Sequence, residues 1–160
     1  MVVRQAFTAE TAATPQDLFA VVSDLGTYPH WLDVVDAAEE VPDTPETWVV
    51  TLKARVGPFA RSKRLRMVRT ELTETSVRFD RQELDGKDHS RWTLEAAVGD
   101  APAPQGTGSG GGRGDGGAGM ASEVQLSLEY DGAMWSGLLD GVLNAAADRA
   151  TKKLQAYVAP

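Results

Sequence analysis

Between residues 47 and 130 hydrophobic side chains recur at every second position, and after that they recur every third or fourth until the chain ends. This switch of period constrains the fold more than any other feature. Trp48, Val50, Leu52, Ala54 and Val56 alternate with Thr47, Val49, Thr51, Lys53 and Arg55, the pattern of a strand with one buried face. Arg61 to Leu72 continues it with Leu65 and Met67, and Val77 and Phe79 alternate with Arg78 and Asp80. Trp92, Leu94, Ala96 and Val98 form one further inward row, and Val124, Leu126, Leu128 and Tyr130 another. Trp135, Leu138, Leu139, Val142, Leu143, Ala146, Ala150, Leu154 and Tyr157 then mark one amphipathic helix of more than five turns.

The start of the chain is built differently. Val2 to Thr11 reads as a short strand with Val3, Phe7 and Ala9 on one face. Thr14 then caps a helix, Pro15 suits its first turn, Asp17 complements its dipole, and Gly26 offers a stop. A second short helix is predicted near Tyr28-Pro29, carrying Trp31 and Leu32, before a weak strand over 34–41. The order is strand, two short helices, more antiparallel strands and one long helix. A sheet that is apolar on one face needs one covering layer, and the last helix is long enough to supply it. The fold class is therefore α+β.

The 160 residues are read as a single domain, 1–160. Residues 101–120 are predicted to be a flexible loop before the last strand, because nine of the fourteen residues from Gly106 to Gly119 are glycine. They contain no phosphate-loop pattern. A net charge of −7 argues against nucleic-acid binding. With no cysteine there is no thiol chemistry or thiolate metal site, and the two histidines lie in no metal-ligand spacing, so no cofactor is expected. The absence of a secretory leader and of any 18-residue apolar run makes the cytoplasmic compartment the expectation.

Three stretches, Thr14-Pro15-Gln16-Asp17-Leu18-Phe19, Ser23-Asp24-Leu25 and Tyr28-Pro29-His30-Trp31, together resemble the opening signature of the START-like superfamily, the polyketide cyclase/dehydrase and lipid-transport group. The strand series and last helix are consistent with it over nearly the whole chain, and the glycine-rich insertion departs from its compact pattern. The resemblance implies a helix-grip fold, in which a curved antiparallel sheet of six to seven strands wraps the C-terminal helix. It also implies a cavity between sheet and helix for a hydrophobic or polycyclic molecule. Its large inward candidates are Phe19, Trp31, Trp48, Leu52, Leu65, Met67, Phe79, Trp92, Leu94, Leu126, Tyr130, Trp135 and Leu139. Periodicity alone favours a solid core, and it is the resemblance that implies the cavity.

Polar residues on the inward phase narrow the site. Arg69 shares a face with Leu65 and Met67, and Arg81 with Val77 and Phe79. A three-residue turn at 73–75 places position 69 opposite 79 and 67 opposite 81, so both guanidinium groups reach the concave side. There they either hold a ligand oxygen or pair with a glutamate near the strand ends. Asp88-His89-Ser90 holds the letters of a triad, but on a strand His89 points away from its neighbours. Lys53, Arg55, Arg64, Arg66 and Arg78 fall on the outward phase. They form either a solvated face or a docking patch for an acidic protein or an anionic membrane surface.

Three functional classes follow. The first is a carrier or binder of a lipid, polyketide or isoprenoid-like molecule. The second is a polyketide cyclase, aromatase or dehydrase in which Arg69, Arg81, Tyr130 or His30 orients an enolate. The third is an interaction module using its basic face. Monomer and dimer are both compatible with the sequence.

Overall fold

The computed structural model describes residues 2–56, 58–102, 119–131 and 136–159, and within these the side chains of all but residues 55, 56, 59 and 136–144. Strand β1 (Val2–Thr11) leads into helix α1 (Pro15–Val22) and a 3₁₀ helix (Leu25–His30). Strands β2 (Val35–Glu40), β3 (Thr47–Val56), β4 (Phe59–Leu72), β5 (Ser76–Arg81), β6 (Arg91–Asp100) and β7 (Ser122–Asp131) follow, and helix α2 (Ser136–Tyr157) closes the order. The strands form one antiparallel sheet of seven in the order β1-β7-β6-β5-β4-β3-β2. Strand β1 crosses over to pair with β7, so the first and last strands are neighbours. This curled sheet with its C-terminal helix is the helix-grip fold. Most of the glycine-rich stretch expected as a loop at 101–120 lies outside the described residues.

Local signals near the start act as read, with one displacement. The Thr14 side chain accepts from the Asp17 backbone N–H at 3.1 Å and caps α1. The helix ends at Val22, however, with Ser23 as its cap, rather than running on to Gly26. Asp24 causes the early stop. Its carboxylate accepts from Gly26 N–H at 2.8 Å and starts the 3₁₀ helix there, so the second helix begins ahead of Tyr28-Pro29 and Trp31 caps its end. Short polar side chains that bond local backbone compete with helix continuation. Between β5 and β6 the chain needs the whole of 82–90 to turn, with Gly86 at φ +73° in the left-handed region and Asp85 accepting from Lys87 N–H.

The concave face is densely packed. Trp31, Trp92, Tyr28, Tyr130 and Phe79 are its largest fully buried side chains. Tyr28 and Trp31 lie with ring centroids 4.4 Å apart, and Phe79 meets Tyr28 edge-on at 6.4 Å. The Tyr-Pro-His-Trp turn thus plugs one part of the sheet's hollow, which explains why a run of short helices interrupts a chain of strands. Ala146, Ala150 and Leu154 bury the described inner stripe of α2, and Gln155 donates to the Glu10 carbonyl at 2.9 Å.

Candidate functional site

A small, partly open cavity of about 30 Å³ lies where the sheet, α2 and the turn after the 3₁₀ helix meet. Phe7 on β1, Leu94 on β6, Leu126 and Leu128 on β7, Leu32 and Ala147 supply its apolar wall, with Gln5 beside them. Phe7 and Leu128 belong to the inward phase of their strands, yet both stay half-buried, whereas Val124, Leu126 and Tyr130 on the same row are buried. Among the described residues the covering layer is therefore incomplete over β1 and β7.

Most of the expected ligand residues are used elsewhere. Among the described side chains of that set, only Leu94 and Leu126 line the cavity. Trp48, Leu52, Leu65, Met67, Phe79, Trp92 and Tyr130 are buried against one another; Trp92 lies 4.6 Å from Tyr130, and Trp48 meets Phe79 edge-on at 5.7 Å. Trp31 is sealed in the plug, and Phe19 is half-buried on α1 against the core. Trp135 lies outside the described residues, and so does the side chain of Leu139. The cavity residues absent from the sequence-based set are Gln5, Ala6, Phe7, Leu32, Leu128 and Ala147. Alternation signals the inward phase of Phe7 and Leu128, but which inward residues lack a packing partner depends on the curl of the sheet.

The two inward arginines sit in the predicted register, Met67 opposite Arg81 and Arg69 opposite Phe79. Each is held by protein groups. Arg69 donates to the Ser23 carbonyl at 2.8 Å and to Glu46 Oε1 at 2.9 Å, with its guanidinium 5.7 Å from the Trp48 ring centroid. The Trp48 indole N–H is buried with no hydrogen-bond partner among the described residues. Arg81, only 7% exposed, donates to Glu83 Oε2 at 2.8 Å, to the Ser90 carbonyl at 3.1 Å, and to His89 Nδ1 at 3.3 Å. Arginine has no acceptor, so His89 Nδ1 must accept and its Nε2–H must donate, at 2.9 Å, to Asp85. The aspartate paired with His89 is thus Asp85 and not Asp88, and His89 positions an arginine rather than a serine. Burial pushes the Glu83 carboxyl up, but the bonds from Arg81 and the Arg66 backbone outweigh it and hold it below the usual carboxylate range.

Lys63 joins this end of the concave face, directly across the strand from Leu52. Burial, followed by the charge of Arg81, lowers its ammonium below the ordinary lysine value, with Glu83 opposing. Its position two residues before Leu65 was legible in the alternation. His30, the other histidine, is exposed and stacks on Tyr157 of α2 at 5.3 Å.

Beside the cavity, an open cleft of about 300 Å³ separates α2 from β3 and β4. Its wall is Val34, Ala54, Ala60 and Ala146, with Lys53, Asp33 and Arg149 at the rim. Asp33 accepts from Arg149 Nε at 2.8 Å and from the Lys153 ammonium. The Lys153 bond, against burial and with help from Arg149, holds the Asp33 carboxyl below its ordinary value.

The outward basic row is broken up. Arg78 pairs with Asp80 at 2.9 Å and stands 3.9 Å from both Glu71 and Glu95, while Arg66 is half-buried and donates to the Gln82 carbonyl at 2.9 Å. Lys53 and Arg64 are exposed, and the Arg55 side chain lies outside the described residues. Among the described residues no three metal-ligating side chains gather, and no helix is long and apolar enough to cross a membrane.

Comparison with known structures finds the same architecture at low identity. A START superfamily protein from Mycobacterium smegmatis superposes with a TM-score of 0.63 at 15% identity, covering 97% of this chain and 96% of its own. The Zhui aromatase/cyclase from Streptomyces sp. R1128 gives 0.59 at 13% identity, covering 99% and 94%. XoxI from Bacillus cereus gives 0.60 at 8% identity, covering 98% and 95%. Comparison with curated protein sequences finds no match. Residues 11–158 match the family described as polyketide cyclase / dehydrase and lipid transport, and since that span takes in α1, the aromatic plug, six of the seven strands and α2, the chain belongs to this family.

Proposed function

We propose that this chain binds a hydrophobic small molecule, a lipid, polyketide or isoprenoid-like body, between the concave sheet and α2, as a carrier or binding protein. The observation that carries this reading is the apolar cavity at the seam of β1, β7 and α2, flanked by the half-buried Phe7 and Leu128. A space of about 30 Å³ holds two or three waters, given about 10 to 15 Å³ for each. Ligand sites are typically about 300 to 1,000 Å³. Binding therefore requires α2 to move away from the sheet, where it borders the cavity through the small side chain of Ala147.

Titration with the neutral dye N-phenyl-1-naphthylamine tests this. The chain is expected to enhance its fluorescence saturably, and Ala147→Phe, which fills the seam, is expected to weaken binding at least tenfold while leaving the circular dichroism spectrum unchanged. A folded wild-type chain that leaves the dye dark contradicts the reading.

A further inference from the structure

The geometry points to the cleft beside α2 as the seat of a carboxylate, held by Lys53 and Arg149, so that the hydrophobic molecule bound by this chain is an acid. This rests on the function proposed above and narrows it.

The chain has a net charge of −7, yet the cleft is locally basic. Its rim carries Arg149 of α2 and Lys53, which leaves β3 on the outward phase at the cleft's edge, against one acid, and the charge of Asp33 is already shared with Lys153 one turn further along α2. Arg61, directly across the strand from Ala54, adds a further cation beside the wall. Lys53 and Arg61 make no side-chain hydrogen bond or ion pair with any described residue. The inward arginines differ here, since Arg69 and Arg81 are bound to carboxylates and carbonyls of the protein. Of the cleft's two cations only Lys53 is without a protein partner among the described residues, while Arg149 is paired with Asp33 at the rim, and bonds between charged groups are roughly twice as strong as neutral ones.

Cleft and cavity also adjoin. Leu32 lines the cavity, and the next two residues, Asp33 and Val34, line the cleft. Ala147 of α2 lines the cavity, and Ala146 lines the cleft. One thickness of chain on each side separates them, and the Asp33–Arg149 bond closes the seam at 2.8 Å. A ligand carboxylate on Lys53 replaces Asp33 as the partner of Arg149. That exchange opens the seam where an apolar tail would enter.

Competition against bound N-phenyl-1-naphthylamine at low salt, with dodecanoate and dodecanol as matched probes below their aggregation limits, separates the possibilities. Dodecanoate is expected to displace the dye at about tenfold lower concentration than dodecanol, a difference of about 1.4 kcal/mol. Lys53→Gln, which breaks no contact within the described chain, is expected to cut that preference to about twofold. Equal displacement by acid and alcohol overturns the carboxylate assignment and leaves the binding function standing. A preference that survives both Lys53→Gln and Arg149→Gln places the anion elsewhere and overturns the cleft. If neither probe nor dye binds, the binding function fails and this inference falls with it.

Discussion

The Tyr28 hydroxyl donates to the Val22 carbonyl at 2.8 Å, tying the plug turn to the last residue of the helix that precedes it. The bond lies beneath the Trp31 ring, where water cannot replace it. Tyr28→Phe leaves a buried acceptor unpaired and is expected to cost about 1–3 kcal/mol in urea denaturation. Burial, with the nearby charge of Asp24, drives the phenol pKa far above its usual value, so the folded chain keeps Tyr28 protonated. Stability from this group is complete below the ordinary phenol value of about 10 and declines as pH rises above it. Tyr28→Phe should flatten that alkaline decline, and an unchanged alkaline limb would refute this account of the plug.

Asp33 supplies the matching effect in acid. Its folded pKa is lowered chiefly by the Lys153 hydrogen bond, so its contribution is present above the unfolded value of about 3.9 and is lost as pH falls through the lower folded value. Thermal melts of Asp33→Asn should show a shallower drop in Tm below about pH 4 than the wild type. Asp80, Glu83 and Asp85 are lowered as well, so the acid limb shrinks without vanishing. Because the ion pair is exposed, 1 M salt should erase much of the difference at neutral pH.

Arg81 and Glu83 form a coupled pair under the β5–β6 connection. Arg81→Met strands a half-buried carboxylate and frees the Ser90 and His89 acceptors together, an expected loss of about 3 kcal/mol. Glu83→Gln in the same chain should recover part of that loss, giving a double-mutant coupling energy of about 1 kcal/mol or more. Additive single losses would mean that the two side chains act independently, contrary to the 2.8 Å bond between them.

Much of this architecture was legible in the chain itself, because alternation assigns a face to each strand residue whatever the sheet's final curl. The opposition of Arg69 to Phe79 matches the sequence reading, but not through a three-residue turn: Leu72 stands opposite Val77, and a register shift between Arg69 and Glu71 restores the pairing. Helix boundaries near Asp24 were harder to read, since a carboxylate's choice of local N–H decides between one helix and two. The site was the least legible part. Inward phase marks Trp48 and Phe79 as strongly as Phe7 and Leu128, but the first pair meets edge-on and the second borders a gap. Such differences arise from contacts between distant strands. For the same reason Glu46, 23 residues away in sequence, claims the Arg69 guanidinium, a commitment that no local pattern announces.

The most direct test of binding between sheet and helix is a methyl NMR titration of leucine-labelled chain with N-phenyl-1-naphthylamine. Leu32, Leu94, Leu126 and Leu128 border the cavity and are expected to shift together to saturation, whereas the exposed Leu72 and Leu84 stay fixed. Shifts confined to Leu72 and Leu84, or a spectrum unmoved by excess dye, would contradict the account.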